Sequence, residues 1–445
     1  MLTIKIPNNN LKERKYVIDI IFMEFLDVEF HQETGGNNYE IILENNHKLI
    51  IEDHFFCKHP NNLEYLKIDN LPSKLEYAKN DFTVEEDIPI IFGNKILNIK
   101  NSKLIICGID IFASIFFMIS RWEEYVNLNR DDHNRFPATE SVAYKNGFLD
   151  RAVVNEYVEI LWNMLLHLGC VQNRSNKNCQ VCLTHDIDKL YFWKNWQQVA
   201  RVTIGDILKR KSFKLATERI TEYSLIKRNK INDSYDTFDW LMDKSEVIGV
   251  KSRFYFMSGG VTKYDNWYKI DEPKCLDLVN KINKRDHIIG FHPSYNAYNN
   301  SKQLKEEKDL LEQTLEQEVI EGRGHYLRFE VPTTWQILED AGMEIDSTCG
   351  YADRIGFRCG TGEEFSVFNI LTREKLKLKE RPVILMDSTL FGYQKLGWDK
   401  IKDVLKKLIK NKNTFTILWH NSQIEHRKIY EQLIEYLYDE DLIKK

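Results

Sequence analysis

Two carboxylates stand one residue apart at the end of a short apolar run. Residues 181–188 read VCLTHDID, so that Asp186 and Asp188 flank Ile187. An apolar run of this length with polar residues on both sides predicts a buried strand, and both acids then lie where the strand leaves its sheet. Acids in that position can accept a proton or bind a divalent cation, although a single Asp there can also cap a helix. The spacing points both carboxylates into one space.

The same arrangement recurs further along the chain. Apolar runs end on, or contain, a polar or ionisable residue in four more places: His292 follows 287–291, Arg328 lies within 325–329, Asp387 follows 381–386, and His420 follows 414–419. Amphipathic stretches of helical length, such as 302–318 and 398–409, lie between most of these runs. Strands that alternate with helices predict a parallel sheet, and parallel strands that each finish on a polar residue predict one shared site. We therefore predict an α/β domain with a barrel-like sheet, an open sheet being the alternative.

These segments, in this order, resemble the motifs of polysaccharide deacetylases of the NodB-homology type, from about residue 180 to the C-terminus. Four segments carry the resemblance: THDID at 184–188 in place of the usual TFDDG, His292-Pro293-Ser294 with Asn296 where a second His is usual, Arg328 to Pro332 for the arginine–proline motif, and Ile417 to His420 for the last strand. The resemblance implies a distorted (β/α) barrel, in a bacterial subgroup whose first motif has spaced acids.

The resemblance also implies hydrolytic removal of an N- or O-acetyl group from a saccharide. Asp186 would be the base and Asp188 a metal ligand, but the intervening Ile187 leaves open an exchange of these two roles. His292 and Asn296 would complete the ligands of a divalent metal, for which zinc is favoured. A neutral amide is a poor zinc ligand, so a harder ion or a metal-independent mechanism stays open.

Further roles follow from the same resemblance. Arg328 would neutralise and orient Asp186, lowering the pKa of that carboxyl by opposite charge. His420 would donate the proton to the departing amine, a task suited to a pKa near neutrality. Ser294 and Asp387 would contact the substrate, with the orientation of His420 as an alternative task for Asp387.

Two other functions are compatible with the same residues. A glycoside-bond enzyme could use Asp186 and Asp387 as its carboxylate pair, and their separation, roughly 5 to 9.5 Å, would distinguish the two known stereochemical outcomes. A carbohydrate-binding protein with a decayed catalytic site is the third interpretation. Asn296 favours it, because a ligand position is then occupied by a weaker donor.

Residues 1–175 are predicted to form a smaller α/β accessory domain of unknown role, ahead of the barrel over 176–445. Leu104–Ser120 is apolar but is interrupted by Asp110, so a strand followed by a buried helix capped by Asp110 is favoured over a membrane span. The stretches SRWEEY and FPATESVAYKNGFLDR resemble the uncharacterised N-terminal domain that accompanies this deacetylase subgroup, with a boundary near residues 170–178. The loop 130–146 is interpreted as solvated or as a roof over the barrel.

Composition limits the partners. The net charge of −5 gives no general attraction to nucleic acid. The 8 cysteines include no CxxC pair, and the first ten residues are too polar for a secretory signal, so reduced thiols and a cytoplasmic location are predicted. The insertion 189–233 is rich in Lys and Arg. It is interpreted as a solvated helical segment or as a basic surface for an anionic membrane or a polyanionic saccharide. The oligomeric state is not predicted.

Overall fold

The computed structural model describes residues 1–101, 103–174, 181–265, 267–410 and 414–440. The expected boundary near residues 170–178 lies partly in 175–180, outside the described residues. None of the described helices is both long enough and apolar enough to cross a bilayer.

The N-terminal part contains a mixed six-stranded sheet flanked by helices. Its strands are β1 (Leu2–Ile6), β2 (Phe30–Thr34), β3 (Tyr39–Ile42), β4 (Lys48–Ile51), β5 (Glu76–Lys79), β6 (Asp87–Ile90), β7 (Gly93–Asn101) and β8 (Leu104–Ile109). Its helices are α1 (Leu11–Asp19), α2 (Ile111–Ser120), α3 (Trp122–Val126), α4 (Val142–Lys145) and α5 (Val153–His167). The six strands are ordered β2-β1-β3-β4-β8-β7, and β5 pairs with β6. The expected strand and capped helix are confirmed, since Asp110 Oδ1 accepts a hydrogen bond from Ala113 N at 3.0 Å.

The C-terminal part contains a nine-stranded sheet. Its strands are β9 (Val181–Ile187), β10 (Arg253–Phe256), β11 (Ile288–Phe291), β12 (Glu321–Gly322), β13 (Ile345–Asp346), β14 (Phe365–Asn369), β15 (Glu374–Glu380), β16 (Val383–Met386) and β17 (Phe415–Leu418). Its helices are α6 (Trp196–Leu208), α7 (Phe213–Lys227), α8 (Phe238–Val247), α9 (Pro273–Lys284), α10 (Ser301–Leu315), α11 (Thr333–Asp340), α12 (Trp398–Leu408) and α13 (Arg427–Asp439). The order is β14-β15-β13-β12-β11-β10-β9-β17-β16, and only the β14–β15 pair is antiparallel.

This sheet is curled, but it is less regular than the (β/α) barrel expected from the sequence. Two backbone hydrogen bonds bring its far side back on itself: Arg381 N donates to Asp346 O at 2.7 Å, and Val383 N donates to Cys349 O at 3.1 Å. The first bond joins a residue between β15 and β16 to the last residue of β13, and the second joins the first residue of β16 to the chain after β13. The antiparallel β14 and the two-residue strands β12 and β13 interrupt the repeat of strand and helix. The parallel strands still place their carboxyl ends at one edge.

One expected strand, 325–329, is absent from the described structure. The strand in this region is β12, which ends at Gly322, and His325–Leu327 form a tight turn instead. Tyr326 and Leu327 adopt φ values of 63° and 54°, in the left-handed region that no strand can use. His325 and Arg328, the polar residues of this segment, therefore lie in and after a turn rather than on a strand of the sheet.

The two parts share one continuous apolar core. Ion pairs also cross between them: Glu124 forms a buried pair with Arg358 at 2.6 Å, and Glu13 forms a partly buried pair with Arg373 at 2.6 Å. The N-terminal part is thus held firmly against the curled sheet, and the loop 127–141 between α3 and α4 reaches the carboxyl ends of the strands.

Candidate active site

Three potential metal ligands meet where β9, β11 and β12 end. The chain after β12 follows the chain after β11, because His325 N donates a hydrogen bond to Pro293 O at 3.1 Å. This pairing brings His325 Nδ1 to 3.0 Å from His292 Nε2. Asp188, just beyond β9, places Oδ1 at 3.2 Å from His292 Nε2 and 3.4 Å from His325 Nδ1. Asp188, His292 and His325 therefore direct one donor atom each at a common point.

The outer nitrogens of both imidazoles are held by backbone carbonyls. His292 Nδ1 lies 2.5 Å from Arg323 O, and His325 Nε2 lies 3.2 Å from Tyr264 O. A carbonyl only accepts hydrogen bonds, so each outer nitrogen carries the hydrogen and each inner nitrogen of a neutral ring presents a lone pair. This arrangement is typical of metal-binding histidines.

The donor atoms of Asp188, His292 and His325 that face one another favour a positive charge between them. Asp188 Oδ1 is buried, and among the described residues no hydrogen bond reaches it. Burial acts to raise the pKa of Asp188, but His325, His292 and His420 outweigh it and hold that pKa well below its ordinary value. Burial likewise acts to lower the pKa of His292, and Asp186 and Asp188 outweigh it and raise that pKa. The cluster therefore favours a cation, or a proton, between its donor atoms.

The dimensions of the cluster fit zinc. Two ligands of a tetrahedral zinc ion, each with a bond of about 2.0–2.1 Å, lie about 3.3 Å apart. The three separations between donor atoms here are 3.0, 3.2 and 3.4 Å. Two imidazoles and one carboxylate also form one of the ligand sets of catalytic zinc sites, in which the fourth position stays open.

Asp186 lies beside this cluster and has its own cationic partner. Its Oδ1 accepts a hydrogen bond from Arg323 Nη1 at 2.8 Å, and its Oδ2 lies 3.9 Å from His292 Nε2. Arg323 is fixed in turn, because its Nε and Nη2 donate to the backbone and the hydroxyl oxygen of Ser347 at 2.8 and 2.9 Å. Asp186 and Arg323 are both buried, so the pair is shielded from solvent. One carboxylate oxygen is thereby anchored and the other is directed towards the metal ligands.

His420 and Asp387 form a second pair on the other side of Asp188. His420 Nδ1 lies 2.7 Å from Asp387 Oδ1, and His420 N donates to Asp387 Oδ2 at 2.7 Å. His420 Nε2 lies 3.7 Å from Asp188 Oδ2. Burial lowers the pKa of His420, but the attraction of Asp387 outweighs burial and raises that pKa to about 10. The imidazolium form can therefore present an N–H towards the site.

A cavity of about 210 Å³ opens over these groups, and the N-terminal part supplies one of its walls. Arg135, from the loop between α3 and α4, lines it together with Tyr326 and Tyr393. The Arg135 guanidinium is held by Asp131 at 2.8 Å, by Tyr326 O at 3.1 Å and by Tyr393 Oη at 2.9 Å. Of the two interpretations of this loop, the structure thus favours a roof over the site.

The structure differs from the sequence expectations at three residues. Arg328 does not contact Asp186, because its guanidinium donates to the backbone oxygens of His133 and Tyr295. Asn296 is turned away from the cluster, and its Oδ1 accepts a hydrogen bond from Arg328 at 3.1 Å. Ser294 is buried, and its hydroxyl bonds Glu307 Oε1 at 2.5 Å rather than facing the cavity. Arg328 and Asn296 support the wall, and Ser294 supports the chain behind His292.

The five other expected residues, Asp186, Asp188, His292, Asp387 and His420, do converge. Sequence reasoning missed Arg323 and His325, which take the positions expected for Arg328 and Asn296. One signal was present: Arg323 and His325 are spaced by one residue after a strand, as Asp186 and Asp188 are. It was hidden because β12 has only two residues, Glu321 and Gly322, and no apolar run.

Comparison with known proteins gives a match for the N-terminal part. Residues 2–169 match a family described as "Family of unknown function (DUF7033)". No curated protein matches the chain.

Among solved structures, the chain is similar to a candidate polysaccharide deacetylase from Mycobacterium smegmatis, with 13% identity over 61% of this chain and 87% of that one and a TM-score of 0.38. It is also similar to a CE4 family pseudoenzyme from Bacillus anthracis, with 12% identity over 60% of this chain and 63% of that one and a TM-score of 0.31. A mutant of such a pseudoenzyme with restored activity gives 13% identity, 60% and 65% coverage and a TM-score of 0.28. The chain spans less than two thirds of the latter two proteins.

Proposed function

We propose that this protein is a metal-dependent hydrolase that removes an acetyl group from a saccharide, with an N-acetylated sugar as the preferred substrate. The observation that carries the proposal is the convergence of three kinds of group on one cavity: a three-ligand cluster, a carboxylate anchored by an arginine, and an imidazole anchored by a carboxylate. Amide hydrolysis needs an activated water, a stabilised oxyanion and a proton for the leaving amine. The three groups correspond to these three needs.

Asp188, His292 and His325 would hold the cation. When bound, a divalent cation supplies Lewis acidity, which makes water more acidic and polarises a carbonyl. The three residues keep this charge at the end of β9, and the carbonyl oxygens of Arg323 and Tyr264 keep the two rings in the tautomers that can bind it.

Asp186 is the proposed general base. Its Oδ1 is occupied by Arg323, so proton transfer would fall to Oδ2, which faces the ligand cluster. Arg323 holds Asp186 in place and supplies the compensating charge that a buried carboxylate requires. The sequence left open which of the two carboxylates has which role. We propose that Asp188 binds the cation and that Asp186 accepts the proton.

His420 is the proposed general acid. Asp387 holds its Nδ1, which leaves Nε2 as the nitrogen that faces the cavity. The raised pKa of His420 keeps the ring protonated at neutral pH, so that it can give a proton to the amine as the carbon–nitrogen bond breaks. Asp387 then acts as a positioning residue rather than as a substrate contact.

The contacts of Asp387 and His325 argue against the two other functions that are compatible with the sequence. A glycoside-bond enzyme would need Asp387 as a second free carboxylate, but Asp387 is fully buried and both of its oxygens bond His420. A decayed site was suggested by Asn296, but His325 supplies an imidazole at the ligand cluster instead. Removal of an acetyl group is the function that uses the ligand cluster, the Asp186–Arg323 pair and the His420–Asp387 pair together.

The direct test is release of acetate from N-acetylated and O-acetylated oligosaccharides. We expect the purified protein to release acetate, to lose that activity with a chelator and to regain it when zinc, cobalt or manganese is returned. Asp186→Asn should reduce the rate by at least about 100-fold, a typical contribution for a general base. His31→Gln, at an exposed position of β2, is the control. Unchanged rates after chelation and in Asp186→Asn would refute the proposal.

A further inference from the structure

The basic insertion between β9 and α8 is a helical hairpin formed by α6 and α7. Its two ends are fastened together, because Asp233 Oδ1 accepts a hydrogen bond from Phe192 N at 2.7 Å. Asn421, the neighbour of His420, donates to Lys189 O at 2.9 Å and to Tyr235 O at 3.0 Å. The base of the hairpin therefore lies at the edge of the sheet that carries the site. A helix of the length of α6 extends about 20 Å, so the far end stands well away from that base.

The far end of the hairpin exposes large apolar side chains. Leu208 ends α6 with 71% of its surface exposed, and Phe213 begins α7 with 72% exposed. Ile204, one turn before Leu208 on the same face of α6, is 55% exposed. Leu208 and Phe213 flank a short turn, so they lie at the same end of the hairpin. Single exposed apolar residues are ordinary, but several at one projecting turn indicate a contact surface.

Basic side chains surround these apolar residues. Lys209, Arg210 and Lys211 form the turn itself, and Lys214 follows Phe213. Over residues 189–233, Lys and Arg outnumber Asp and Glu by eleven to four, in a chain whose net charge is −5. The hairpin thus carries strong positive charge on an otherwise acidic protein.

We propose that this hairpin tip, residues 204–214, binds the surface of an anionic lipid bilayer. Leu208 and Phe213 would enter the headgroup region while Lys209, Lys211 and Lys214 contact lipid phosphates. Apolar side chains ringed by lysines are the composition of helices that lie in a membrane interface, whereas a soluble polyanion would gain nothing from the apolar pair. The contact is peripheral, because none of the described helices can span a bilayer. It goes beyond the proposed hydrolysis and is independent of it.

The test is flotation of the full chain with lipid vesicles. We expect binding to vesicles of phosphatidylglycerol mixed with phosphatidylcholine, little binding to phosphatidylcholine alone, and weaker binding as salt is added. The triple change Lys209→Gln, Lys211→Gln and Lys214→Gln should weaken partitioning by about 100-fold, since each basic residue near an anionic surface contributes about fivefold. The double change Leu208→Ser and Phe213→Ser should weaken it with the charge unchanged.

Matched variants elsewhere control for nonspecific effects. Val171→Ser with Val247→Ser removes two equally exposed apolar side chains, and Lys302→Gln, Lys400→Gln and Lys406→Gln remove three exposed charges. Both control variants should bind vesicles as the wild type does. Failure of the wild type to bind anionic vesicles would overturn the proposal, as would equal losses in the tip and control variants. Binding only to a soluble polyanion such as dextran sulfate, or a dimer dissolved by the Leu208 and Phe213 changes, would also overturn it.

Discussion

The ligand set can be tested without any knowledge of the substrate. Replacing His325 by Ala removes one of three donors that face a common point. Zinc sites with four protein ligands bind with about 10–16 kcal/mol, or about 2.5–4 kcal/mol per ligand. We therefore expect His325→Ala to weaken zinc binding by about 60- to 700-fold, at 1.4 kcal/mol for each factor of ten.

Asn296→Ala is the matched control. The side chain of Asn296 bonds Arg328 and faces away from the cluster, so we expect this variant to bind zinc within about threefold of the wild type. Affinity can be measured by competition with a zinc-binding dye, with thermal unfolding of the metal-free proteins as a check on folding. Wild-type affinity in His325→Ala, or an equal loss in Asn296→Ala, would refute the assignment of His325.

Four further outcomes are expected. Arg323→Gln should lower the free energy of unfolding by about 3–5 kcal/mol in chemical denaturation, because it leaves Asp186 buried without its partner, whereas Arg328→Gln should leave Asp186 paired. Asp387→Asn should reduce kcat for acetate release more than it changes KM, since it disorients His420; a pure KM effect would contradict that role. Arg135→Gln should raise KM more than it lowers kcat if the loop after α3 only positions the substrate, and equal effects would count against this. Glu124 has its pKa lowered to about 2, because Arg358 and Arg121 outweigh the opposing effect of burial. Glu124→Gln should therefore cost about 3 kcal/mol at pH 7. The two proteins should converge in stability as the pH falls from about 4.5 through about 2, since the carboxylate is protonated in both the folded and the unfolded state only below that pH.

The sequence predicted the parts of the site that follow fully buried strands. β9, β16 and β17 are fully buried runs, and the polar residues at their ends, Asp186, Asp387 and His420, converge as expected. In such strands the hydrophobic run itself marks the strand end, so the position of the next polar residue follows from the pattern.

The pattern failed at β12, for a physical reason. This strand has two residues, of which Gly322 is required, because a Cβ there would lie 2.3 Å from the carbonyl oxygen of Phe291. A strand without apolar side chains leaves no signal, and the apolar run after it predicted a strand that begins at His325. The left-handed backbone at Tyr326 turns the chain there, which separates His325, facing the cluster, from Arg328, facing the wall.

The prediction of Asn296 as a metal ligand was wrong for a related reason. Its spacing from His292 would suit a helix that begins at once, with both side chains on one face. The chain instead forms a short turn at Ala297–Asn299, and α10 begins only at Ser301. The missing imidazole is supplied by His325, in the turn that follows the neighbouring strand β12. This is a relation in space that spacing along the chain cannot reveal.

The N-terminal part also contributes to the site, as one of the two interpretations of the loop 130–146 expected. Arg135 lines the cavity, and the carbonyl oxygen of His133 accepts a hydrogen bond from Arg328, the residue that holds Asn296. The ion pair of Glu124 with Arg358 fixes α3, and so the start of this loop, against the chain that leads towards β14. Because the loop is held at both ends by buried contacts, a change in the N-terminal core would move a wall of the cavity. The loop 127–141 is therefore a structural part of the cavity wall.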